Sequence, residues 1–249
     1  MLRNWQTMFR IWQTMLQKSI FWTLLALGLL LQTSPAPLRA WELRPSGLAP
    51  AYLPAGNLAA LPPSSADFNR DGLPERLQLT SGRLTIFSSA GAVWQSPPGW
   101  TVLQAQITDL NQDGIPEATL LVWRPFRPWP VDRWLPYGGR IADFHDAGGN
   151  SCHIILIGWR GGAYGELWAG SALAEPVKSF AAADLNGDGV QELVTLEGNY
   201  ADSPSAPARA LKVWEWNGFG FSIVSGIEGS FDKLALVRAN PGPVLILVP

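Results

Sequence analysis

Three nine-residue segments of one pattern constrain the fold of this chain more than any other feature. They are Asp67-Phe68-Asn69-Arg70-Asp71-Gly72-Leu73-Pro74-Glu75, Asp109-Leu110-Asn111-Gln112-Asp113-Gly114-Ile115-Pro116-Glu117 and Asp184-Leu185-Asn186-Gly187-Asp188-Gly189-Val190-Gln191-Glu192. In each, side-chain oxygens stand at positions 1, 3, 5 and 9, and a glycine stands at position 6. Such a loop curls so that alternate side chains converge, and glycine takes the turn without Cβ strain. Carboxylate, amide and carbonyl oxygens are the donors a hard cation such as Ca²⁺ prefers. The pattern therefore reads as about three Ca²⁺ sites. Their side-chain ligands would be Asp67, Asn69, Asp71 and Glu75; Asp109, Asn111, Asp113 and Glu117; and Asp184, Asn186, Asp188 and Glu192. The position-7 carbonyls of Leu73, Ile115 and Val190 would complete each shell with water. The competing reading is a set of Asx-rich turns without metal. Plain turns, however, do not require oxygen donors at all four positions in every copy.

An EF-hand opens with the same residues but closes with Glu at position 12 and lies between helices. Here the closing acid is at position 9, and strand-like runs follow at 76–80, 118–123 and 193–196. This form resembles the FG-GAP/VCBS repeats of integrin-α-like β-propellers, over roughly residue 59 to the C-terminus. The resemblance implies a metal loop between the first two strands of each blade. It also implies a module that presents a face or loops to a protein or glycan at a cell surface.

The spacing of the loops supplies the architecture. The first two lie 42 residues apart and the last two 75, or about 48 once an insertion at about 124–150 is set aside. Four short strands per unit at a period of 40–50 is the signature of propeller blades. Strands are expected at 75–80, 83–88 and 91–95; at 102–108, 118–123, 153–159 and 164–169; and at 177–183, 192–196, 210–216 and 219–224. Two more, at 233–237 and 244–248, begin a further repeat whose loop, 238–242, has lost the ligand set, so no metal is expected there. The expected fold is all-β and propeller-like, with three full four-stranded blades and a partial fourth. Edge strands at 41–44 and 51–53 are available to close it by joining the chain ends and removing an open edge; otherwise the array stays open or closes on another subunit.

The formal charge of −2 hides an asymmetry. Four basic residues and no acids lie in the first forty positions, leaving −6 on the rest, and nine of the 20 acids sit in the three loops. No basic stripe favours nucleic acid. The run at 20–31 (IFWTLLALGLLL) behind a basic segment is too short for a full membrane span and reads as the core of an export signal. Cleavage after Ala40 fits, since Pro37 disfavours a cut after Ala36. The alternative is retention of residues 1–40 as an anchor, aided by the echo at 5–11 and 12–18, which could lie on a membrane surface. Either way residues 41–249 form a domain outside the cytoplasm, touching a membrane only through an uncleaved N-terminus. Cys152 is the sole cysteine, which excludes an intrachain disulfide.

The insertion begins Arg124-Pro125-Phe126-Arg127-Pro128-Trp129-Pro130-Val131-Asp132-Arg133-Trp134. Guanidinium and aromatic groups at this density suit sugar rings and partner surfaces, although the same residues could pack as a stiff flap. The favoured function is a calcium-binding adhesion or binding module for a protein or glycan. The alternative is an extracytoplasmic polysaccharide-acting enzyme with the insertion as its site, where Asp132, Asp143 and Asp146 are the clustered acids. A structural envelope role is a third reading. Cys152 and His153 are adjacent and on a strand point to opposite faces, which argues against a nucleophilic pair. Trp94, Trp123, Trp168 and Trp214 recur near strand ends and are expected in packing between blades.

Overall fold

The computed structural model describes residues 38–53, 58–60, 65–128, 144–239 and 242–248. The leader up to residue 37, the middle of the insertion with Asp132 and Asp143, and part of the degenerate fourth loop lie outside the described residues. The chain begins with a hairpin of β1 (Arg39–Arg44) and β2 (Gly47–Ala51), followed by short β3 (Leu58–Ala60). Three antiparallel four-stranded sheets come next. The first comprises β4 (Ser65–Ala66), β5 (Glu75–Thr80), β6 (Arg83–Ser88) and β7 (Gly91–Gln95). The second comprises β8 (Thr101–Thr108), β9 (Glu117–Pro125), β10 (Asn150–Arg160) and β11 (Ala163–Ala169). The third comprises β12 (Val177–Ala183), β13 (Glu192–Glu197), β14 (Ala208–Trp216) and β15 (Phe221–Phe231).

The last two strands, β16 (Ala235–Ala239) and β17 (Val244–Val248), complete a fourth sheet with the first three, in the order β2-β1-β17-β16-β3. Arg39 pairs with Val248, Ala40 with Leu247 and Trp41 with Ile246. The four sheets stand as the blades of a propeller-like ring, and the strands of both chain ends close it. The closing hairpin differs in detail from expectation. Its second strand is Gly47–Ala51 rather than 51–53, because Arg44 pairs with Gly47 across the turn Pro45-Ser46, and Gly47 takes φ 106° as the chain leaves that turn. Strand β1 also starts at Arg39, so a cut after Ala40 would fall inside it and leave only Trp41↔Ile246 of the three closing pairs.

Each seam between consecutive blades holds its own core. Phe68, Leu84 and Ile86 of the first blade pack on Val102, Leu120 and Ile155 of the second. Leu121, Ile154 and Leu156 meet Phe180 and Leu193 of the third. Val194, Leu211 and Phe231 meet Leu236, Val244 and Ile246 of the fourth, with Leu43 from the closing hairpin. Trp94 lies against the first of these cores, and Trp123, Trp168 and Trp214 against the second, as packing groups. Between β8 and β12 the side-chain amides of Gln104 and Gln106 bond both the N–H and the C=O of Phe180 and of Ala182. Two amide side chains thus stand where a further strand would supply backbone partners.

Candidate functional site

All three acidic loops join the first strand of a blade to its second, so they share one rim of the ring. Their backbones agree. Position 4 is left-handed at Arg70 (φ 60°), Gln112 (φ 61°) and Gly187 (φ 83°), and position 6 at Gly72, Gly114 and Gly189. The position-1 aspartates accept from the amides of Gly72, Gly114 and Gly189, and the position-5 aspartates from those of Leu73, Ile115 and Val190. In every loop the position-3 amide donates to the position-5 carboxylate, at 3.0, 3.1 and 3.0 Å. Neighbouring loops also touch: Arg70 donates to the carbonyl of Gly114, and Gln191 accepts from the amide of Asp109.

Two further positions tie each loop to the core. The residue at position 2 (Phe68, Leu110 or Leu185) is buried in the seam beneath it. Its backbone N–H donates to the position-9 glutamate at 2.8 Å in all three copies. Glu75, Glu117 and Glu192 are accordingly buried, each spending one oxygen inward on that amide. The other oxygen differs between copies. In Glu192 it accepts from Asn186 at 2.8 Å. In Glu75 and Glu117 it is buried with no hydrogen-bond partner among the described residues, although the Tyr164 hydroxyl stands beside Glu75. Burial pushes Glu117 up to about 8 and Glu192 up to about 7, and the neighbouring loop aspartates add like-charge repulsion.

Orphaned carboxylate oxygens beneath a rim of repelling acids are what a bound cation would satisfy, so the residues fit a hard divalent ion in chemistry. Among the described residues no three His, Cys, Asp or Glu side chains are grouped closely enough to hold a metal by themselves. A metal held here would need the position-3 amide and the position-7 carbonyl as donors as well.

The opposite rim carries the ends of the insertion and two cavities. One, of about 600 Å³, is lined by Trp100, Arg124, Phe126, Arg127, Ser151 and His153 among others. The second, of about 770 Å³, lies between Thr101, Leu103 and Trp123 of the second blade and Lys178, Tyr200 and Asp202 of the third. Ser151 and His153, two apart on β10, share a face. His153 Nδ1 is 2.9 Å from the carbonyl of Gly170, which can only accept, so Nδ1 carries the proton and Nε2 accepts from Ser151 Oγ at 2.8 Å. No local sequence pattern marks this pair, because the carbonyl that orients His153 belongs to Gly170, on the turn beyond β11. Cys152 faces the other way, into the seam with the third blade, with its thiol on the carbonyl of Val177, and burial pushes it up to about 12. His145 is instead held by Phe126 and the carbonyl of Asp146. Asp146, the one described acid of the insertion cluster, caps a turn by accepting from the amide of Asn150.

Burial, with the Arg124 charge nearby, pushes His153 down to about 4, which makes it a poor base and a neutral packing group. The sign of the resulting pH effect follows directly. The unfolded imidazole takes its proton near pH 6.5 and the folded one only near 4, so this contribution is present above 6.5 and is lost as the pH falls toward 4. Up to about 3 kcal/mol is at stake. Melting temperature against pH should fall less steeply over that interval in His153→Gln than in the parent; parallel curves would remove this assignment.

Neither protein-family models nor curated proteins give a match to this chain.

Proposed function

We propose that the chain is an exported, Ca²⁺-stabilised propeller of the FG-GAP/VCBS kind that binds a protein or glycan outside the cytoplasm. The observation that carries this reading is the threefold recurrence of one acidic loop on one rim. Each copy is pinned to the core by a buried apolar residue at position 2 and a buried glutamate at position 9. Metal on these loops would hold the ends of the strand pairs β4–β5, β8–β9 and β12–β13, which leaves the opposite rim, with its turns and cavities, as the surface for recognition. Long connections on a rigid scaffold are where binding groups concentrate. About three Ca²⁺ ions would lie on Asp67, Asn69, Asp71, Glu75 and their counterparts in the other two loops, and the cation would supply charge neutralisation there rather than chemistry.

The test is a glycan-array and surface-protein pull-down screen with the full chain, in Ca²⁺ and in EDTA. A partner captured in Ca²⁺ and released by EDTA is the expected result. Turnover of a polysaccharide by the purified chain would replace this reading with the enzymatic one.

A further inference from the structure

The two cavities of the insertion rim differ in how their charges are spent. In the larger, Lys178 donates to the carbonyls of Ser203 and Ala206, and Asp202 is paired with Arg209. In the smaller, the described lining contains Arg124 and Arg127 but no aspartate or glutamate. Arg124 is half-buried; loss of water lowers its pKa, and the like charge of Arg127 lowers it further. Glu166 on β11 is the opposite charge it feels, yet among the described residues Arg124 makes no ion pair. Its guanidinium carbon stands over the Trp100 ring, 5.5 Å from the ring centre. Pro97, Pro98, Pro125 and Pro128 stiffen the walls, and Phe126 adds a second ring.

We propose that this cavity binds an acidic saccharide, with its carboxylate on Arg124 and Arg127 and a sugar face against Trp100 and Phe126. A guanidinium fork matches a carboxylate in shape and charge, and aromatic faces take the apolar face of a pyranose at low entropic cost. The volume of about 600 Å³ is that of an ordinary ligand pocket. A neutral sugar would bring no opposite charge to two mutually repelling guanidiniums that have no carboxylate among the described lining residues, and a bare inorganic anion would make no use of the rings. The proposal rests on the reading of the chain as a binding module and is independent of the metal loops, which occupy the other rim.

The experiment titrates the full chain in Ca²⁺ with a galacturonate trisaccharide, the matching neutral galactose trisaccharide and inorganic phosphate, followed by calorimetry and tryptophan fluorescence. The acidic trisaccharide should bind at least roughly tenfold more tightly than the neutral one, as loss of a charge-assisted pair implies. Arg124→Gln should lose a similar factor with little change in melting temperature, and Arg124→Lys should recover part of it. If Arg124→Gln melts markedly lower, Arg127→Gln, at an exposed position, supplies the same comparison without a folding effect. Equal binding of both sugars, no binding of either, phosphate competing as well as the acidic sugar, or indifference to both arginine substitutions would overturn the proposal. Calcium uptake is measured separately. Acidic-sugar binding through Arg124 by a chain that takes up no Ca²⁺ sinks the metal reading alone. A different partner, captured equally well by Arg124→Gln, keeps the binding-module reading and sinks this one.

Discussion

Chelation should lower the melting temperature of this protein by about 15–30 °C. Three independent sites at a hundredfold excess of Ca²⁺ over Kd contribute about 8 kcal/mol, and a domain of this size moves about 2–4 °C per kcal/mol. The physical source is visible in the loops. Glu117 and Glu192 are raised by burial and repelled by the aspartates above them, so a loop without metal carries a charge penalty that coordination would reverse. Asp188 separates the metal reading from the plain-turn reading. Its Oδ1 accepts from the Val190 amide and its Oδ2 from Asn186, and an asparagine can keep the first of these bonds. In EDTA, Asp188→Asn should therefore be neutral or slightly stabilising, because it relieves repulsion with Asp184 and Glu192. In Ca²⁺ it should cost about 3 kcal/mol, the contribution of one site. An effect of the same sign and size in both media, with no calorimetric Ca²⁺ uptake, would leave the loops as turns only.

Removing residues 38–51 should abolish the monomer. All five residues of β17, Val244 to Val248, are buried, and one edge of that strand is covered by β1. Without β1 and β2 the strand presents unpaired amides and an apolar face, the arrangement that leads to edge-to-edge association. The core between the third and fourth blades would also lose Leu43, with Trp41 and Leu48 beside it. Deletion of one buried leucine alone costs about 2–5 kcal/mol. Light scattering should show oligomers or aggregate, and a synthetic hairpin of residues 38–53 should restore the monomer in trans. A truncated chain that stays monomeric and melts normally would mean that closure is dispensable.

Much of this architecture was legible because two periodicities coincide. The acidic loops mark where the first strand of each blade ends and the second begins, and β-branched and aromatic runs between turn residues mark the rest, so β5, β6, β7, β12 and β17 lie where the pattern places them. Closure by the N-terminus was legible from the missing strands of the last repeat. What stayed hidden depends on tertiary approach. The inward turn of Glu75, Glu117 and Glu192 follows from the amide of position 2, and the signal was the apolar residue at that position in all three loops. The Ser151–His153 pair needs the carbonyl of Gly170, brought alongside by the turn out of β11. The cavity of Arg124 needs the turn at 97–100 from the preceding blade, which no local pattern announces. Strand β15, expected at 219–224, runs instead from Phe221 to Phe231, because β14 offers a partner along its whole length.

The pairing of Arg39 with Val248 sets a clock on synthesis. The hairpin that closes the ring is among the first segments of the propeller to be made, and its partner strand is the last. At roughly 5–20 residues per second, the interval between them is on the order of 10–40 s. Three blades can collapse during that time, each from contacts within a few tens of residues, while an apolar hairpin waits without its neighbour. Closure is the contact of greatest sequence separation in the described chain, and by loop-closure entropy it is expected to form last. The final stability of the ring and its exposure to misassembly are fixed by the same few pairs of residues.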